Sequence, residues 1–195
     1  MHVSDKARQV LLFSMTAKRV GVFIDGGYID HMNRHGFPGM ADYRKLIQFV
    51  TKDEGELTFA GYYDCMPYQT QNPTEEEKRL YSRKRRFIQT LSKLPRMTVR
   101  LGKTQMRDGK SPVQKRVDVL LALDVARAAW KGEVDTVILI AGDSDFVPVL
   151  DEAKLCGVKT VLYYYCPAFN NDLIRSASEA HEITPDVWKE IVRFQ

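Results

Sequence analysis

Cysteine is scarce. The three present, Cys65, Cys156 and Cys166, are odd in number and widely spaced. That argues against a disulfide framework or a zinc site and fits a reducing compartment, the cytoplasm. Long apolar runs are missing as well. Nothing approaches the ~20 residues that a membrane helix needs, and residues 10–14 are too short for a signal-peptide core, so no membrane attachment is expected. Repeats and low-complexity tracts are absent. Gly26-Gly27 lacks the GxGxxG context of a dinucleotide fingerprint. His31 and His35 stand at i, i+4 without an HExxH pattern, and no histidine stands out as a base for Cys65.

What is there suits one globular domain. At 195 residues the chain can bury one substantial core, and 44% hydrophobic with 28% charged residues is too apolar for a disordered chain. The net charge of +4 hides a strong asymmetry. Residues 78–116 hold 14 Lys and Arg against one acid, Asp108, while the rest of the chain has 15 basic and 24 acidic residues. A long one-sign stretch beside an acidic body points to a polyanionic partner, with a solvated helix face as the equal alternative.

Residues 1–17 show no periodicity and are expected to form a mobile N-terminal arm; residues 18–195 form the domain. Val20–Ile24 is a short β-branched run ending at Asp25-Gly26-Gly27. Residues 28–36 and 42–52 read as helical, and Leu57–Cys65 as a strand. Thr74 with Glu77 three residues on has capping-box spacing for a helix to about Leu94. Met97–Leu101 is a strand, 102–115 a loop or hairpin, Val117–Trp130 an apolar helix, and Thr136–Ala141 the clearest buried strand. A helix over Phe146–Cys156, a strand over Val158–Tyr164 and helices near 171–178 and 186–193 complete the chain. Strands alternating with helices predict an α/β domain with a mainly parallel five-stranded sheet covered on both faces. Ligands of such a sheet bind beyond the carboxyl ends of its strands, where strand order reverses.

Asp25 and Asp143 end two of these strands, Asp145 opens the following helix and Asp118 opens the apolar one. Each alone has a structural reading. Asp25 can begin a Gly turn, Asp145 or Ser144 can cap a helix, and Asp118 can complement a helix dipole. If the first and fourth strands are neighbours, the four converge on one crevice. Two carboxylates about 4 Å apart repel by roughly 4 kcal/mol at an effective dielectric near 20, so either a proton is shared or a cation binds. Hard oxygen donors select Mg²⁺ or Mn²⁺, and open water positions suit phosphate chemistry. Asp124 and Ser144 are expected to stand behind these groups rather than among the ligands.

Phe23-Ile24-Asp25-Gly26-Gly27-Tyr28, Lys115-Arg116-Val117-Asp118-Val119 and Ala141-Gly142-Asp143-Ser144-Asp145-Phe146-Val147-Pro148 resemble the three signature blocks of NYN-domain proteins, more narrowly the bacterial LabA-like branch of the PIN-like nucleases. The resemblance runs from Arg19 to Ile183. It implies a PIN-like sheet, acidic Mg²⁺ or Mn²⁺ ligands at Asp25, Asp118, Asp143 and Asp145, and ribonuclease activity. Tyr28 departs from it, since many NYN sequences have Asn there.

The expected function is metal-dependent hydrolysis of RNA phosphodiesters, with single-stranded RNA as partner. Lys115 would sit near the phosphate, and Arg83, Lys84, Arg85 and Arg86 would track the backbone. A non-catalytic RNA-binding or assembly module and a small-molecule phosphoesterase are the alternatives. Homo-oligomerisation is compatible with either.

Overall fold

The computed structural model describes residues 17–107 and 111–193. The N-terminal arm expected over residues 1–17 lies almost entirely outside this range. The chain begins with β1 (Arg19–Asp25), α1 (Gly26–His35), β2 (Met40–Ala41), α2 (Tyr43–Thr51) and β3 (Glu56–Asp64). It continues with α3 (Glu75–Leu91), β4 (Met97–Leu101), β5 (Lys103–Arg107), β6 (Ser111–Lys115) and α4 (Val117–Trp130). β7 (Thr136–Ile140), a 3₁₀ turn (Ser144–Phe146), α5 (Val147–Leu155) and β8 (Lys159–Tyr164) follow. α6 (Asn171–Ser176), β9 (Glu179–Glu182), α7 (Pro185–Ile191) and β10 (Val192–Arg193) close the fold.

The main sheet has the order β4-β3-β1-β7-β8-β9, and every pair in it is parallel. β1 and β7 occupy the centre. Their interior residues are wholly buried, the mark of strands covered on both faces. One face carries α1, α2, α3 and α7, whose Ile29, Met32, Leu46, Leu91 and Trp188 pack on Val20, Val22 and Ile24. The other carries α4, α5 and α6, whose Leu121, Val125, Leu150 and Leu173 join Phe23, Leu139 and Phe146. From β1 the chain winds outward to β3 and β4, then returns to β7 and winds the other way. Strand order therefore reverses between β1 and β7, and the crevice opens at their carboxyl ends.

The sheet has six strands where the sequence pattern predicts five. The additional strand, β9, is Glu-Ala-His-Glu at an edge, mostly exposed and without an apolar alternation to announce it. Residues 103–107 and 111–115 pair antiparallel as β5 and β6, and β2 pairs with β10 in a small ribbon. No helix among the described residues is long and apolar enough to cross a membrane.

Candidate active site

Asp25 is both the last residue of β1 and the N-cap of α1, its Oδ1 accepting from the Tyr28 amide at 3.1 Å. Burial pushes its carboxyl up to about 7, and the negative charges of Asp118 and Asp64 push the same way against the stabilising amides of Tyr28 and Gly27. The backbone at Gly26 leaves no room for a side chain: a Cβ there would lie 2.4 Å from the Tyr62 hydroxyl oxygen and 2.8 Å from Asp64 Oδ2. Glycine thus lets the start of α1 press against the end of β3.

Asp143 follows β7 through Ala141-Gly142 and caps the 3₁₀ turn, its Oδ1 accepting from the Asp145 amide at 3.0 Å. The capping role considered for Asp145 or Ser144 falls to Asp143 itself. Ser144 sits between the two aspartates in that turn. Asp118 lies in the first turn of α4. It is accessible, yet protein crowds it enough that desolvation raises its carboxyl, and Asp143 and Asp145 raise it further. The four aspartates therefore feel one another across the crevice, Asp25 through Asp118 and Asp118 through the Asp143-Asp145 pair. They do not form a closed cage: among the described residues no three His, Cys, Asp or Glu side chains come together as a ready ligand set.

α4 starts from Arg116, which has a left-handed backbone (φ 75°) and provides no side-chain cap. A non-glycine residue there costs energy; the turn is what carries the hairpin into the helix and sets Asp118 at its head. Lys115 precedes it at the exposed end of β6.

Asp64, which the sequence reading did not single out, lies close enough for its charge to act on Asp25. It ends β3, is 2% exposed, and takes a hydrogen bond from the Tyr62 hydroxyl at 2.6 Å and from the Cys65 amide at 2.6 Å. Lys84 reaches in from α3 to pair with it, and also lies 3.2 Å from both Asp30 Oδ2 and the Tyr62 hydroxyl. The available signal was an acid at a strand end, the same signal that marked Asp25.

Lys84 is thus committed to the buried Asp64 carboxylate and to the more exposed Asp30. Four consecutive helical residues fan over about 300° around the axis and cannot share one face. Arg83, Arg85 and Arg86 remain exposed while Lys84 turns inward. Asp124 is held by Tyr63 at 3.0 Å, Arg100 at 2.8 Å and Arg127 at 2.9 Å, tying α4 to β3 and β4. Its partners are structural. Tyr28 donates to the Tyr165 carbonyl at 3.4 Å and accepts from the Tyr165 amide at 2.6 Å, bridging α1 to the loop after β8.

A doubly wound parallel sheet with acidic side chains at its reversal point defines a PIN-like α/β domain. The chain belongs to the NYN domain family, whose model matches residues 19–184. Among solved structures, it is similar to a Vibrio parahaemolyticus protein of unknown function. The two share 21% identity at a TM-score of 0.66, over 91% of this chain and 97% of that one. At this identity the likeness speaks to the fold. A match to Acinetobacter baumannii MurG has a TM-score of 0.41 at 14% identity over 85% of this chain and 41% of that one, and carries nothing further. No curated protein matches the chain.

Proposed function

We propose that this chain is a divalent-metal-dependent ribonuclease of the LabA-like branch, acting on single-stranded RNA in the cytoplasm. The observation that carries the reading is the set of four aspartates at the strand reversal: Asp25 and Asp143 on the ends of adjacent central strands, Asp118 and Asp145 at the starts of the turns beside them. The donors are hard oxygens, and half-buried Asp25 stands beside like charges with no salt bridge among the described residues. This suits Mg²⁺ or Mn²⁺. The lack of a closed cage suits an ion that keeps several waters and binds through one or two carboxylates plus substrate phosphate. When bound, such an ion supplies Lewis acidity and a more acidic water.

In this reading Asp25 and Asp143 hold the ion, their capping bonds fixing each carboxylate in direction. Asp118 and Asp145 would bind the ion directly or through water, and one of them would orient the attacking water and accept its proton. Lys115, at the mouth, offsets phosphate charge. One observation favours a second reading, an RNA-binding module without turnover: the Tyr28 side chain is spent on the Tyr165 backbone and offers no amide to the crevice.

The test is cleavage of labelled single-stranded RNA with Mn²⁺, Mg²⁺ or EDTA, for wild type beside Asp143→Asn. Cleavage is expected only with a divalent ion, and the variant should lose at least ~100-fold while still binding RNA. Cleavage in EDTA, or equal rates for both proteins, rules out this mechanism. Binding without cleavage under any ion establishes the second reading.

A further inference from the structure

A cleft of about 780 Å³ lies beside α1 and the end of β3, lined by the β5/β6 hairpin, α1, α3 and the segment after β3. The geometry points to a nucleobase subsite: the cleft takes one or more bases of the RNA whose phosphate lies over Asp25. This rests on RNA being the substrate.

Its position comes first. Gln114 of β6 lines the cleft, and a Cβ placed on Gly27 would be 3.8 Å from Gln114 Oε1 and 3.3 Å from Asp25 Oδ1. Gln114 on the rim of the cleft therefore approaches the start of α1 that Asp25 caps, although none of the four aspartates lines the cleft itself. Its charge comes second. Asp30, Asp64 and Glu77 face Arg83 and Lys84, so the lining has no surplus of positive charge with which to hold a phosphate. The occupant it suits is uncharged. Its surface is the third point. Tyr68, Phe87, Met106 and Pro112 supply aromatic and soft apolar walls from three different elements, the chemistry on which any base can lie.

A fourth feature gives the subsite an edge to read. Asn33 of α1 lines the same cleft, and its buried Oδ1 has no hydrogen-bond partner among the described residues. Buried polar atoms are nearly always paired, because leaving one unmet costs energy. The unpaired position presents an acceptor, or a donor if the amide is turned, and either can meet a group on a base edge. Sequence preference would then arise at Asn33, and generic affinity from the walls.

The test uses the full chain in EDTA, so that binding is read without cleavage. Labelled short homopolymers of U, A and C and an abasic ribose-phosphate oligomer are titrated against wild type, Asn33→Ala and Tyr68→Ala. Wild type should bind a homopolymer at least ~5-fold more tightly than the abasic oligomer, as stacked bases require. Tyr68→Ala should lose most of that margin for all bases. Asn33→Ala should narrow the differences among U, A and C, and neither change should alter the salt dependence. Equal affinity for abasic oligomer and RNA, or variants indistinguishable from wild type, overturns the subsite. A base-dependent margin in a protein that never cleaves RNA with Mn²⁺ upholds the subsite and removes the nuclease reading. Cleavage without base dependence does the reverse.

Discussion

Asp25 caps α1 with the carboxylate that the proposed site would use, and the two roles conflict. Capping α1 asks for an acceptor at the N-terminus, where negative charge is welcome. Burial beside Asp118 and Asp64 asks for a proton, and its carboxyl sits near 7 rather than the ordinary 3.8. The sign of the pH effect follows. Below about 3.8 the group is neutral folded and unfolded and has no effect. Between there and about 7 the unfolded chain gives up its proton while the folded one keeps it, so stability falls as pH rises. Above 7 the full cost is present, on the order of 4 kcal/mol at most. In EDTA, wild type should therefore lose stability between pH 5 and 8 more steeply than Asp25→Asn, and the variant should be the more stable at pH 8. Urea titrations at several pH values measure this. Parallel profiles would mean that the charge on Asp25 is already compensated. Added Mn²⁺ should reverse the order by stabilising wild type alone.

Among the elements, α3 is held least by its core and most by its ends. Leu91 is its one buried residue, while Phe87 rests half-buried on Tyr43 and Tyr62. Its start is a full capping box. The Glu77 amide donates to the Thr74 hydroxyl at 3.2 Å and the Thr74 amide to the Glu77 carboxylate at 2.9 Å, with the Thr70 hydroxyl adding a third bond. These donors hold the Glu77 carboxyl below its usual range. Thr74→Ala should lower stability by about 1 kcal/mol, read as a lower urea midpoint at unchanged m-value. A change in m-value would show instead that α3 unfolds separately from the sheet. The consequence reaches the cleft, because α3 carries Arg83, Lys84 and Phe87 to its wall.

At the scale of the molecule, the basic run is partly neutralised where it folds: Lys78 pairs with Glu75, Arg96 with Glu56 and Arg100 with Asp124. The described part of residues 78–116 lies on α3, β4, β5, β6 and the approach to α4. Lys84 does not contribute to an outward field, since its ammonium is spent on Asp64 and Asp30. Removing it would strand a buried carboxylate at a cost of about 3–5 kcal/mol, so a charge-removal test must leave it in place. Replacing Arg83, Arg85 and Arg86 by Gln should flatten the dependence of RNA affinity on salt. Each lost contact to single-stranded RNA lowers the log–log slope by about 0.7. Because consecutive residues fan around the helix, a drop of about one or two contacts is expected rather than three. An unchanged slope would place bound RNA away from α3.

Much of this was legible in the chain because it is locally coded. β1 and β7 show as dense apolar runs, and the turn residues that follow mark Asp25 and Asp143 as strand-end acids. The Thr74–Glu77 spacing announces α3, and 117–130 is apolar enough to be a helix at sight. The sequence blocks around these aspartates also suffice for the family. Other features depend on partners far along the chain. β9 forms because β8 offers an edge, not because Glu-Ala-His-Glu favours a strand. Lys84 meets Asp64 only because α3 packs back over β3, and Tyr28 meets Tyr165 across 137 positions. The cleft exists because the hairpin folds over α1 and α3. Periodicity and caps act within a few residues and are written in the sequence one turn at a time. Strand order, helix facing and the pairing of buried charges are set by which surfaces meet once the sheet has closed. Only the tertiary structure could therefore turn a basic run into one inward lysine and three outward arginines.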